Sequence, residues 1–203
     1  MMSYFVIVVF FVLYGRTEDP RPHAYLDMDG ELAFSNSCKY LIDQGHKRIA
    51  LINRESDYMF PVFCKQGYLN GLESGGLSYD PDLVRNWDDN DPKLSSFQHT
   101  LELMKLKNPP TAILFFTQTA SGILQAINQL NLKTPNDISL ICYDDLEIAI
   151  TNNPPLTVMC PQASKAGERL VGMLVEIFNG RPVEELQEIW QVEMVERQST
   201  GQI

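Results

Sequence analysis

The sequence predicts an α/β fold in which a mostly parallel β-sheet is flanked by helices. Apolar runs typical of buried strands alternate with segments whose apolar residues recur at helical spacing. The run from Phe5 to Tyr14 contains no charged residue, amide side chain, glycine or proline. Continuous runs of this kind indicate strands buried on both faces, and such strands occur in parallel sheets covered by helices.

The same N-terminal run has two other interpretations, which the sequence disfavours. A helix needs about 20 consecutive apolar residues to span a bilayer, and Gly15 and Arg16 interrupt this run at about half that length. A secretory signal carries basic residues before its apolar core, whereas Met1, Met2 and Ser3 at the start of this chain are uncharged. We therefore expect a cytoplasmic protein with no membrane partner.

Composition excludes some classes of function. The 203 residues carry a net charge of −10, which argues against a bare nucleic-acid surface because phosphate binding needs clustered lysine and arginine. The four cysteines lack CxxC spacing, which favours reduced thiols over disulfides or a zinc site. No glycine-rich phosphate loop, GxSxG elbow or HExxH motif occurs, so we expect no cofactor, no metal and no catalysis.

The predicted elements follow the first strand in alternation. Ala24 to Leu26 form a short second strand, and Asp27 and Asp29 are interpreted as helix-capping groups. Helices are then predicted at 31–44, 63–74, 95–105 and 121–130, and strands at 49–52, 83–87, 111–116 and 138–143. Gly45 is expected to end the first of these helices in the left-handed conformation. His46, which follows, is interpreted as a capping or packing residue.

Ligands of such sheets bind beyond the carboxyl ends of the strands, where the loops gather. The dipeptides at those ends are Gly15-Arg16, Asn53-Arg54, Trp87-Asp88, Phe116-Thr117 and Asp144-Asp145. Adjacent residues on an extended chain point to opposite faces, so Asp144 and Asp145 cannot act as acid and base on one bond. One of them could hold a polar ligand while the other caps the next helix, or both could only cap it.

Six segments resemble signatures of the lactose-repressor (LacI/GalR) family of bacterial transcription regulators. In chain order they are YLIDQGHKRIALI, QGYLNGLESGGL, PPTAILFF, PNDISLICYDDLEIA, the stretch from NNPPLTV to EIFNG, and VERQST. VLYGR also resembles the family strand that ends in GR. Each segment is a weak signal alone, but six in the family's order over residues 13–200 are specific.

The resemblance implies a type I periplasmic-binding-protein-like effector domain, built as two subdomains joined by three crossing strands with a small molecule between them. By this resemblance, residues 1–27 with helix 166–178 are a remnant of the first subdomain. Residues 28–159 with a final strand at 190–197 are the second. The run from Phe5 to Tyr14 would then be a central strand whose neighbours lie upstream of Met1. Exposure of such a strand favours association through residues 4–14, or poor order there.

The resemblance also implies a homodimer, with operator DNA bound by a separate N-terminal helix-turn-helix that this chain lacks. The implied effector is a sugar or a nucleobase-like molecule. Asp144 matches a family residue that accepts effector hydrogen bonds, and Gly15 matches a position that can face the ligand. Cys64 stands where the family usually has an arginine, and Phe116 where it commonly has an asparagine. Trp87 and Phe116 could stack on the effector, or only pack in the core or at the surface.

The sequence therefore predicts the effector-binding and dimerisation part of a regulator that responds to a sugar or another small molecule. An exported sugar-binding protein of the same fold is the main alternative. An enzyme that uses Asp144 or Asp145 is disfavoured because no nucleophile or metal cluster accompanies them. A truncated fragment with no function of its own is a further alternative.

Overall fold

The computed structural model describes residues 9–54 and 58–203, which fall into two compact units. The first unit consists of the described residues up to Met28 together with Gln162–Trp190. The second consists of Asp29–Pro161 and Gln191–Ile203. The chain therefore passes from one unit to the other three times.

Strands and helices alternate along the described chain, and the predicted α/β class with a mostly parallel sheet is confirmed. The strands are Val12–Tyr14 (β1), Ala24–Met28 (β2), Ile49–Arg54 (β3), Val84–Trp87 (β4), Ala112–Phe116 (β5), Ser139–Tyr143 (β6), Thr157–Cys160 (β7), Gln187–Trp190 (β8) and Glu193–Val195 (β9). The helices are Gly30–Asp43 (α1), Met59–Ser74 (α2), Pro92–Met104 (α3), Thr117–Gln129 (α4), Glu147–Thr151 (α5) and Ala163–Phe178 (α6).

The first unit contains a parallel sheet of three strands in the order β1-β2-β8, against which α6 packs. The expectation of a long central strand buried on both faces is wrong for the described part of the N-terminal run. β1 has three residues and lies at the sheet edge, and Val9 and Phe11 are 72% and 52% exposed. Since β1 is paired with β2 alone within the described chain, its outer side has no neighbouring strand. Residues 5–8 of the run lie outside the described residues, and association through residues 4–14 stays a prediction.

The second unit contains a sheet in the order β4-β3-β5-β6-β7-β9, in which β9 alone is antiparallel to its neighbour. Every residue of β5 and β6 is buried. Residues 187–195 form two strands, one in each unit, where the sequence predicts a single strand at 190–197.

Two glycines allow the helices of the second unit to pack closely in pairs. A Cβ added at Gly67 of α2 would lie 2.0 Å from the Glu31 carbonyl oxygen of α1. A Cβ added at Gly122 of α4 would lie 2.1 Å from the Lys93 carbonyl oxygen of α3. Any larger residue at these positions would therefore push the backbones of the two paired helices apart. Both helix pairs depend on glycine there.

One of the two predicted capping aspartates caps a helix. The Asp29 carboxylate accepts a 2.9 Å hydrogen bond from the Leu32 backbone N–H at the start of α1. Asp27 instead lies in β2 and pairs with the Arg16 guanidinium at 2.6 Å. The prediction for Asp27 is therefore wrong, because β2 continues past Leu26 and keeps that residue in the sheet. Gly45 follows α1 with φ +101°, as expected.

His46 is a buried packing residue rather than a surface group. Its Nδ1 lies 2.8 Å from the Thr111 hydroxyl, and its Nε2 lies 3.0 Å from the Ser139 hydroxyl and 3.2 Å from the Gly201 carbonyl oxygen. Burial lowers the pKa of His46 because a charged imidazolium is poorly solvated there. The neutral ring thus connects the start of β3 with the C-terminal segment.

This burial predicts a pH-dependent stability. Since the pKa of His46 is lower in the folded than in the unfolded chain, protonation of this ring favours unfolding. The stabilisation by neutral His46 is fully present only above the unfolded pKa of ~6.5 and is lost as the pH falls toward the folded pKa. The free energy of unfolding should therefore fall as the pH is lowered from about 7.5 to about 5.5. Urea unfolding at the two pH values measures this difference in the free energy of unfolding.

His46→Gln should remove this part of the pH dependence, whereas His99→Gln, which changes a half-exposed ring on α3, should keep it. An unchanged pH dependence in His46→Gln would contradict the assignment to His46.

Candidate functional site

The carboxyl ends of the second-unit strands bring most of the predicted site residues to one edge of the sheet. Arg54 at the end of β3 pairs in register with Trp87 at the end of β4. Phe116 at the end of β5 pairs in register with Tyr143 at the end of β6, and Asp144 follows directly. Because parallel strands end on the same side, these residues share one edge.

Five side chains form an aromatic cluster at this edge: Phe34, Phe60, Trp87, Phe116 and Tyr143. The Phe116 ring lies centrally, with centroids 5.3 Å from both Trp87 and Phe34 and 5.7 Å from Tyr143. Trp87 and Phe116 are only 6% and 5% exposed, so both side chains pack in the core rather than at the surface. Their stacking on a ligand stays a prediction.

Phe60 is the half-buried member of the aromatic cluster. Its ring lies edge-on to Tyr143, with centroids 5.1 Å apart, and to Phe116 at 6.3 Å. Sequence analysis did not identify Phe60, although its place in the first turn of α2, the helix that follows β3, could have drawn attention to it.

Cys64 is fully buried on α2, beside the start of α1. A Cβ added at Gly30 would lie 2.8 Å from the Cys64 sulfur and 2.8 Å from the Phe60 ring, so both side chains pack onto that glycine. A buried thiol therefore stands at the position where the resemblance assigns an arginine. Its direct contact with a ligand stays a prediction.

Asp144 has the backbone geometry that functional residues often show. Its φ is +77°, in the left-handed region that residues with a side chain seldom adopt, and its backbone N–H donates to the Met159 carbonyl oxygen at 2.9 Å. The carboxylate is half-buried, and burial raises the pKa of Asp144 by disfavouring the charged form. A hydrogen-bond donor that approaches this carboxylate would restore part of the lost solvation.

A hydroxyl at the start of α4, directly after β5, supports the Asp144 backbone. The Thr117 hydroxyl donates to the Tyr143 carbonyl oxygen at 2.6 Å and lies 3.2 Å from the Asp144 carbonyl oxygen. Beneath them, burial raises the pKa of the Cys142 thiol to about 12, so that sulfur stays protonated. Sequence analysis did not assign this role to Thr117.

Asp145 is held by an ion pair and does not cap a helix. Its Oδ2 accepts a 2.6 Å hydrogen bond from the Arg197 guanidinium, which also donates to the Leu156 carbonyl oxygen at 3.0 Å. The residue that precedes α5 is Leu146, and no side chain caps this helix. The prediction that one or both aspartates cap it is therefore wrong, because Asp145 is bound by a residue 52 positions away.

Gly15 belongs to the first unit, where it follows β1 with φ +115° and donates its backbone N–H to the Leu26 carbonyl oxygen at 2.8 Å. A Cβ added there would meet no atom within 4 Å, so the positive φ rather than crowding favours glycine. That Gly15 faces a bound ligand stays a prediction.

Among residues 9–54 and 58–203, no group of three His, Cys, Asp or Glu side chains could hold a metal ion. None of the described helices is long and apolar enough to cross a membrane.

A profile of the periplasmic binding protein-like domain family matches residues 38–200. The chain belongs to this family. The resemblance to LacI/GalR regulators is confirmed by sequence relatives of that kind. The HTH-type transcriptional regulator AglR of Rhizobium meliloti (strain 1021) is 36% identical over 197 residues, which are 94% of this chain and 54% of AglR.

Solved structures of regulators share the periplasmic binding protein-like fold. A regulatory protein of LacI family from Chloroflexus aggregans matches with a TM-score of 0.86 and 28% identity, over 94% of this chain and 68% of that chain. The transcriptional regulator CelR, in its cellobiose complex, matches with a TM-score of 0.84 and 25% identity, over 93% and 58% of the two chains. The chain spans about half the length of the curated relatives it matches.

The ion pair of Asp145 predicts a specific loss of stability. Arg197→Met would leave the part-buried Asp145 carboxylate without its cation, so the free energy of unfolding should fall by about 1–3 kcal/mol. The control Arg85→Met breaks a 3.6 Å pair with the exposed Glu102 and should cost below about 1 kcal/mol. Urea unfolding measures both, and equal losses would contradict a structural role for the Asp145 pair.

Proposed function

We propose that this chain is the effector-binding part of a transcriptional regulator of the lactose-repressor type, and that its effector is a sugar. The observation that carries the proposal is the half-buried Asp144 carboxylate at the end of β6, held in a left-handed conformation beside the aromatic cluster. Strained residues of this kind cluster at ligand sites.

The chemistry of Asp144 suits a polyhydroxylated ligand. An ionised carboxylate accepts two hydroxyl hydrogen bonds, and each charge-assisted bond contributes about 1.5–3 kcal/mol. The apolar face of a sugar ring can pack on an aromatic side chain, which the aromatic cluster offers at the same edge. The cellobiose complex of CelR supports a sugar as the ligand class over a nucleobase.

In the proposed regulator, DNA is contacted by a segment other than this one. The net charge of −10 disfavours a phosphate-binding surface on this chain, and AglR is named as an HTH-type regulator. We further propose a cytoplasmic homodimer whose effector alters how two DNA-binding segments are held. The exported sugar-binding protein is not favoured, since AglR, CytR and the Chloroflexus aggregans protein are transcriptional regulators.

A binding experiment tests the role of Asp144. Calorimetric titration with cellobiose, maltose, glucose and adenosine should detect a sugar that binds, and Asp144→Asn should weaken its binding about 10- to 100-fold. The amide keeps the shape of the carboxylate but lacks its charge. The circular dichroism spectrum should stay unchanged, because the side chain has its role in ligand binding.

The control variant is Asp43→Asn, which removes the same charge from an exposed position at the end of α1. It should bind as the unaltered chain does. Equal affinity of Asp144→Asn and Asp43→Asn would remove Asp144 from the site, and tighter binding of adenosine than of any sugar would overturn the sugar assignment. Binding of none of the four compounds would favour a fragment without a function of its own.

A further inference from the structure

The arginines at the carboxyl edge of the second-unit sheet are neutralised by aspartates. Arg54 at the end of β3 donates from Nε and Nη2 to both carboxylate oxygens of Asp89, at 2.8–3.0 Å. The Trp87 indole N–H donates to the same carboxylate at 3.0 Å. Arg197 is paired with Asp145. Each guanidinium thus already shares its charge with a carboxylate, and a bound anion would have to compete for it.

A third position lacks a cation altogether. The resemblance assigns an arginine to the position of Cys64, and here a fully buried thiol and the Phe60 ring fill that space beside Gly30. Neither group can neutralise the charge of a phosphate or carboxylate that moves from water into the site. An unpaired buried charge is strongly disfavoured.

The remaining charge at this edge is negative. In the part of the chain that the structure describes, the ion pairs include none that involves Asp144, and its half-buried carboxylate is well placed to repel a nearby anion. The Asp144 carboxylate accepts hydrogen bonds, and sugar hydroxyls can donate them. Phe60 adds an apolar surface next to it, since its half-buried ring lies against Tyr143, the residue before Asp144.

We propose that the site accepts uncharged sugars and rejects their phosphorylated or carboxylated forms. This inference rests on the proposed function and specifies its ligand class. The neutralised arginines, the buried thiol at the arginine position and the unpaired carboxylate all act in the same direction.

Matched ligand pairs test the inference. Calorimetric titrations compare cellobiose with cellobionate and glucose with glucose 6-phosphate, at low and at moderate salt. The neutral member of each pair should bind at least about 100-fold more tightly, and raising the salt should narrow the gap because it screens the repulsion.

A variant that frees one arginine tests the electrostatic cause. Asp89→Asn removes the charge that neutralises Arg54, at an exposed pair whose loss should leave the fold intact. It should reduce the discrimination against the anionic member by about 3- to 10-fold. Asp82→Asn, which removes an equal charge from the exposed turn before β4, should leave the ratio unchanged.

The outcomes separate the inference from the function on which it rests. Equal or tighter binding of the anionic member would overturn the charge selection and leave a sugar-responsive regulator in place. An equal effect of Asp89→Asn and Asp82→Asn would overturn the role of the Arg54 pair. Binding of neither member of either pair would overturn both the inference and the proposed function.

Discussion

The parallel pairing of the buried strands β5 and β6 is the constraint on which the rest of the second unit depends. Every residue of both strands is buried, and each large apolar side chain contributes about 1.5–3 kcal/mol by leaving water. The register that aligns Phe116 with Tyr143 also places Thr117 beside the residues that follow β6. The Thr117 hydroxyl can therefore reach the Tyr143 carbonyl oxygen, and the position of Asp144 is a consequence of strand packing.

The Asp144 loop balances backbone strain against contacts from distant parts of the chain. A left-handed conformation at a residue with a side chain costs about 1–3 kcal/mol. Hydrogen bonds from Thr117, and the pair of the adjacent Asp145 with Arg197, offset that cost. The C-terminal segment is thus part of the support for the loop: Ser199 accepts a backbone hydrogen bond from Leu140 of β6, and Arg197 holds Asp145.

The electrostatics of the sheet edge differ from what its residue types alone suggest. Arg54 and Arg197 lie at or near this edge, and each is paired with an aspartate, while none of the described ion pairs involves Asp144. The pairing partners decide which charges a ligand meets. Because aspartates pair with these arginines, the edge offers little free positive charge to an anion.

The sequence by itself determined the elements between residues 24 and 143, because helical spacing, apolar runs and signals such as Asp29 and Gly45 are local. It also determined the family, through six segments in order, and the sheet edge at which Trp87, Phe116 and Asp144 meet. Tertiary structure alone decided that β1 is an edge strand of the described sheet, that Phe60 joins the aromatic cluster and that Asp145 binds Arg197. These depend on which distant segments become neighbours, and neither periodicity nor a local motif records the partner of a side chain 52 residues away.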